Sequence, residues 1–195
     1  MNPEPRRKEH EVRSDESGLV KRAQDGDEAA FTEIVKRYQR DVYRVAFGLV
    51  RNAADADDLA QETFVRAYRA LGTFRVGEPL RPWLSRIAVN QAYSLFRLRR
   101  RRPEVPIEPL VEAGQQWASE DDPEAEAAGR ERTRHIEAAF AELSEEHRAV
   151  LALRVVRDLS YDEMAAALEV PVGTVMSRLS RARAELKRRL GRSEP

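Results

Sequence analysis

The residues of this 195-residue chain best equipped for chemistry are three arginines, Arg178, Arg181 and Arg183, set among Met176, Ser177 and Ser180. Their chemistry is recognition. Guanidinium groups neutralise phosphates and donate paired hydrogen bonds to base edges, and hydroxyls bond to either. Val175, Leu179, Ala182, Leu186 and Leu190 recur between them at three- and four-residue spacing, so the segment is a helix with one buried face. Residues 171–192 carry seven basic side chains against one acid, Glu185. The plain alternative is an amphipathic helix with a merely solvated polar face.

Three other clusters invite a chemical reading. Asp55, Asp57, Asp58 and Glu62 offer oxygen donors to a hard cation, but acids in a first turn also stabilise the helix dipole, and that is the simpler account. Arg97, Arg99, Arg100, Arg101 and Arg102 crowd six positions, more than a helix C-terminus needs, which points to phosphate contact. The stretch from Phe74 to Trp83 joins aromatics to glycine and proline beside Asn90. Such a loop is usually only a connection, yet it could hold unstacked bases while cations hold the strand. His10, His135 and His147 are scattered. No phosphate loop, HExxH or nucleophile elbow occurs, and the chain has no cysteine. No catalytic residue, metal or cofactor is expected. A metal hydrolase built on the acid cluster is the enzyme alternative.

The elements that must position these groups are all helical. Ser160 and Glu163 spell a capping box. Met164, Ala165 and Leu168 supply the stripe of a short helix, which Pro171 breaks. Thr174 is the expected cap of the next helix, with Gly173 allowing a tight approach. This is a helix-turn-helix. Upstream, helices are expected over about 15–23, then from Asp27 along Phe31, Ile34, Val35, Tyr38, Val42, Val45, Ala46 and Leu49. A third runs from about Ala54 to Leu71 with Leu59, Phe64 and Ala67 inward. A fourth runs from about Pro82 to Arg101 on Trp83, Ile87, Ala88 and Tyr93 or Leu95. Ile136, Phe140 and Leu143 mark a fifth, and a sixth starts at Ser144. The expected fold is all-α: a tail over 1–14, a helical domain over 15–102, a flexible linker over 103–130, and a second domain over 131–191 ending in the helix-turn-helix.

The formal net charge is zero, so the overall balance points to no nucleic acid. Its distribution does: residues 104–126 hold eight acids and no Lys or Arg, between two basic patches. Pro103, Pro106 and Pro109 open this segment, whose composition is that of a solvated linker. No apolar run reaches membrane-span length and residues 1–16 lack a signal-peptide core, so a cytoplasmic protein without membrane insertion is the default.

Four words in order carry a family resemblance: Asp57-Asp58-Leu59-Ala60-Gln61-Glu62-Thr63-Phe64-Val65-Arg66-Ala67-Tyr68-Arg69-Ala70-Leu71, Trp83-Leu84-Ser85-Arg86-Ile87-Ala88-Val89-Asn90, Leu159-Ser160-Tyr161-Asp162-Glu163-Met164-Ala165, and Val172-Gly173-Thr174-Val175-Met176-Ser177-Arg178-Leu179-Ser180-Arg181-Ala182-Arg183. Over residues 18–190 the chain resembles the two-domain sigma factors of the extracytoplasmic-function (ECF) group. The resemblance implies a non-enzymatic subunit of bacterial RNA polymerase that directs promoter-specific initiation. Asp58, Gln61, Glu62 and Arg66 would dock on the β′ clamp helices of core polymerase, with the β flap as a further polymerase partner. Phe74, Arg75, Leu80, Arg86 and Asn90 would capture the −10 element, backed by Arg97, Arg99 and Arg100. Met176, Ser177, Ser180 and Arg181, with Arg178 and Arg183, would read the −35 element of promoter DNA. The linker would follow polymerase toward the RNA exit path, and an anti-sigma factor would be the regulator. Pro79, Leu80 and Pro82 depart from the family's loop, and Glu169 replaces a glycine common at the helix-turn-helix turn. The runner-up is an autonomous helix-turn-helix regulator, which would need a dimer interface.

Overall fold

Asp27 shows how local chemistry can start a helix in this protein. In extended geometry, its carboxylate accepts a hydrogen bond from Ala30 N and opens α2, Glu28–Val50. The Arg22 guanidinium bonded to it, together with that backbone N–H, holds the carboxyl below its usual range. The computed structural model describes residues 15–101, 131, 134–155 and 159–191, with only the backbone of 100 and 101. Residues 15–24 form α1, which precedes the Asp25-Gly26 turn. Asn52 then caps α3, Ala53–Ala70, by accepting from Asp55 N. A 3-10 turn over Leu71–Thr73 leads to the loop before α4, Leu80–Arg101. The second unit holds α5 (134–141), α6 (Glu145–Val155), α7 (Tyr161–Leu168) and α8 (Val172–Leu190). Among the described residues there is no strand, in keeping with the expected all-α class.

Two apolar cores organise these helices. The first belongs wholly to the N-terminal unit and joins Leu19, Val20, Ile34, Tyr38, Phe64, Leu71, Phe74, Leu80 and Leu84. Its α2 stripe is the predicted one. The second core runs through both units: Val45, Ala46, Leu49, Ala88, Val89 and Phe96 pack in one cluster with Ala149, Val150, Leu153, Met164, Val175 and Leu179. Helix α6 lies on α2, and α7 on α4. Among the described residues the two helical units therefore share one apolar cluster, while the linker lies outside them.

Two devices make the close approach possible. Gly48 has no side chain where a Cβ would stand 2.7 Å from the Cβ of Ala152, so α2 and α6 meet nearly backbone to backbone. Arg51 ends α2 in a left-handed conformation, φ 57°. Its guanidinium lies over the rings of Phe47 (4.9 Å) and Phe140 (5.2 Å) and pairs with Glu137 at 3.2 Å. Burial lowers its pKa, yet an arginine starts high enough to keep its charge. Arg148 of α6 likewise covers the Phe96 ring of α4 at 4.5 Å.

Two sequence expectations shift. Helix α8 begins at Val172, because the Pro171 carbonyl already accepts from Thr174 N and Val175 N. Thr174 is thus in the first turn and is not the cap. Ile136 is exposed, whereas Phe140 and Leu143 are buried.

Candidate nucleic-acid interface

The capping box at α7 is complete. Ser160 Oγ accepts from Glu163 N at 3.2 Å, and Glu163 Oε2 accepts from Ser160 N at 2.7 Å. Helix α7 ends on Glu169, at φ 54° and ψ 43°. This is left-handed backbone that glycine adopts freely and a glutamate adopts at a cost. The turn then delivers α8 with Val175, Leu179 and Ala182 in the core. Met176 stands 53% exposed, and Ser180, Arg181 and Arg183 are exposed beside it. Ser177 and Arg178 are half-buried. The Ser177 hydroxyl donates back to Thr174 O at 3.1 Å, leaving its lone pairs as acceptors. The six predicted residues thus share one helix, but four present openly and two partly.

The lone acid of this helix faces the scaffold. Glu185 accepts from Arg189 at 2.8 Å and pairs with His147 Nδ1 of α6 at 2.8 Å. Those two bonds, the arginine's first, hold its carboxyl below the usual range. The positive outer face is therefore not offset by its own carboxylate.

In the N-terminal unit the structure divides the predicted loop residues. Phe74 is 7% exposed and packs on Trp83, ring centroids 4.8 Å apart, while Leu80 is wholly buried. Neither side chain of these two expected −10 residues faces solvent. A phenylalanine and a leucine flanking a polar loop gain more from the adjoining core than from water. What the loop does present is Arg75 to Pro79, all exposed, turned by the Glu78 N to Arg75 O bond and by Gly77 at φ 97°. Arg86 and Asn90 are exposed one turn apart on α4.

Arg97, further along α4, is exposed and donates to Ser94 Oγ. Arg99 is committed to the scaffold: its Nη2 bonds both carboxylate oxygens of Asp55 at 2.7 Å. That pair also explains one acid of the Asp55–Glu62 cluster. The Arg100 side chain and Arg102 lie outside the described residues. Among the described residues no group of three His, Asp or Glu side chains could hold a metal, and no helix is long and apolar enough to cross a membrane.

Helix α3 gathers the four predicted docking residues. Asp58, Gln61 and Arg66 are exposed, and Glu62 pairs with Arg66 at 2.8 Å, one turn away. The sequence reading missed two neighbours, Val65 and Tyr68, both large, apolar and exposed. Tyr68 meets Phe31 of α2 edge-on at 4.9 Å. Their signal was their place in the same helical period as Gln61 and Glu62.

The reading also missed the groups behind the loop. Glu16 is 8% exposed. Its Oε1 accepts from Leu80 N at 2.8 Å, and its Oε2 accepts from the Tyr38 hydroxyl. Burial, then the carboxylate, raise the Tyr38 pKa well above its ordinary value. Gln24 Nε2 donates to the carbonyls of Leu71 and Phe74, each at 2.8 Å. Glu16 was detectable as an acid three and four residues before Leu19 and Val20, hence on their apolar face. Gln24 carried no such mark.

Across the seam, Arg86 Nη2 meets Glu169 Oε1 at 2.5 Å. A residue expected at the −10 element is thereby tied to the turn of the helix-turn-helix.

Comparison with known proteins matches this layout. Residues 34–102 match the family described as Sigma-70 region 2, and residues 133–186 match Sigma-70, region 4. The RNA polymerase sigma-H factor of Pseudomonas aeruginosa is 36% identical over 177 residues, which cover 88% of this chain and 92% of that protein. The ECF RNA polymerase sigma-E factor of Escherichia coli K12 is 36% identical over 170 residues, covering 85% and 88%. Among solved structures, CnrH bound to the cytosolic domain of CnrY is similar with a TM-score of 0.69 at 27% identity, covering 92% of this chain and 99% of that one. The Bartonella quintana sigma factor RpoE, bound to the anti-sigma factor NepR, gives 0.66 at 27% identity, covering 84% and 98%.

Proposed function

The chain belongs to the ECF RNA polymerase sigma factors of the sigma-70 family, and from that premise we propose how its parts divide the work of initiation. It binds core RNA polymerase and promoter DNA and directs promoter-specific transcription. The exposed row on α8, Met176, Ser180, Arg181 and Arg183, with Ser177 and Arg178 at its edge, reads the −35 element. The arginines supply phosphate and guanine contacts, and the hydroxyls accept or donate as the base requires. The exposed loop from Arg75 to Pro79, with Arg86, Asn90 and Arg97, receives the opened −10 strand. Phe74 and Leu80 hold that loop from beneath. Arg99 stiffens the end of α4 through Asp55, and Arg100 adds charge there. Asp58, Gln61, Glu62 and Arg66 dock on the β′ clamp helices with Val65 and Tyr68 as apolar companions, while the second unit engages the β flap.

One observation carries this reading: α8 turns Val175, Leu179 and Ala182 inward and presents Met176, Ser180, Arg181 and Arg183 to solvent, within a chain matched by sigma relatives along most of its length. The protein acts as a specificity subunit in the cytoplasm and makes or breaks no covalent bond itself. An anti-sigma factor is its natural regulator, as in the complexes of its structural relatives. Run-off transcription with bacterial core polymerase and a genomic fragment library tests the reading. Discrete start sites that depend on this chain are expected. Their absence, with the chain bound to polymerase or not, overturns it.

A further inference from the structure

We propose that helix α1 is a brace that sets the conformation of the −10 loop, with Glu16 and Gln24 as its positioning residues. The exposed segment from Arg75 to Pro79 is held at both ends by this one helix. At the entry, the Gln24 amide donates to the carbonyls of Leu71 and Phe74. At the exit, the Glu16 carboxylate accepts from Leu80 N, the first amide of α4.

That exit contact is a helix cap supplied from 64 residues away. A helix start leaves its first N–H groups without intrahelical partners. In α4, Pro82 in the first turn has no N–H to satisfy, and the Leu80 N–H goes to Glu16. The other Glu16 oxygen takes the Tyr38 hydroxyl, so the carboxylate is fixed to α2, a rigid element. Arg81 adds a lock by donating to Asp41 of α2 at 3.0 Å and lying over the Tyr38 ring at 5.8 Å.

Buried polar groups with all partners present specify a single geometry, and losing one partner is costly because the other is stranded. Glu16 is buried and Gln24 half-buried, and their contacts go to the loop ends and to Tyr38. Their effect on base choice passes through the loop they hold. Displacing contact groups by about 1 Å is enough for large losses in the step they serve.

This inference rests on the reading of the loop as the −10 site. Its test uses the whole chain with core polymerase and a promoter recovered by the run-off selection. Single-base substitutions are placed across the opened segment. Gln24→Glu keeps the shape but removes both donors and faces two carbonyls with a carboxylate. It is expected to lower strand opening, read by permanganate reactivity, by roughly tenfold and to flatten the preference among −10 bases. Polymerase affinity and binding to a −35 duplex stay unchanged. Glu16→Ala is expected to behave likewise. Glu16→Gln keeps an acceptor for Leu80 N and a partner for Tyr38 and restores near-normal opening. Undiminished base preference in Gln24→Glu overturns the brace, as does a parallel loss of polymerase binding or a Glu16→Gln variant as impaired as Glu16→Ala. If the unsubstituted chain selects no start site, it is the functional reading that fails.

Discussion

Arg86 of α4 and Glu169 at the end of α7 form an ion pair of 2.5 Å across the seam between the two units. Both are exposed, and Glu169 holds left-handed backbone as the cap of α7. A residue proposed to receive the −10 strand is thus paired with the turn that precedes α8.

Glu169→Gly tests that engagement. The substitution relieves backbone strain of about 1–3 kcal/mol. Against this stand the lost exposed pair, at most about 1 kcal/mol, and the extra freedom of glycine in the unfolded chain, also about 1 kcal/mol. Stability by urea denaturation is expected to stay within about 1 kcal/mol of the parent. Binding of the opened −10 strand rises, by no more than roughly fivefold, the factor that 1 kcal/mol allows. No rise in strand binding would show that Arg86 is not restrained by this pair.

Gly48→Val should wedge the units apart. The added side chain would meet the Cβ and backbone of Ala152, which cannot move without shifting α6. Overpacking of this kind costs about 1–3 kcal/mol. Small-angle scattering should report a larger radius of gyration, and thermal unfolding should separate into two steps. A single unchanged transition with unchanged dimensions would contradict the expectation.

Arg181→Ala and charge reversal at Asp58 and Glu62 should fail at different steps. The first removes a base or phosphate contact, which costs about 1–3 kcal/mol of promoter affinity, and leaves polymerase binding intact. The second should weaken polymerase binding in a fluorescence titration before it affects a duplex. If both variants lose polymerase equally, the assigned division between α3 and α8 is wrong.

Glu185 gives a pH dependence of known sign. Its folded pKa is depressed by Arg189 and His147, so it stabilises the fold above the unfolded carboxylate value of about 4.3 and loses that contribution as pH falls through the depressed one. Glu185→Gln should lower Tm at pH 7, and the gap to the parent should close below about pH 4. A gap that widens in acid would reverse the assignment.

Some of this was legible in the residues and some was not. The stripe from Ile34 to Leu49 and the Ser160–Glu163 box are written locally, in helical period and cap spacing, and folded as read. Val175, Leu179 and Ala182 likewise told which way α8 faces. Phe74 and Leu80 did not, because a loop's inner and outer residues depend on a core assembled from α1, α2 and α4. Glu16 pairs with residues 22 and 64 positions away, a separation that no periodicity encodes. The seam between units was hidden for the same reason: Gly48 looks like an ordinary helical glycine until Ala152 is set against it.

The continuous apolar seam also bears on how the protein must be handled by the cell and at the bench. Val150, Leu153 and Met164 share their cluster with Val45, Leu49 and Val89, so a C-terminal fragment cut away from α2 and α4 would show bare greasy surface to its neighbours and clump. Separating the halves on a larger host would require that host to cover the uncovered lining.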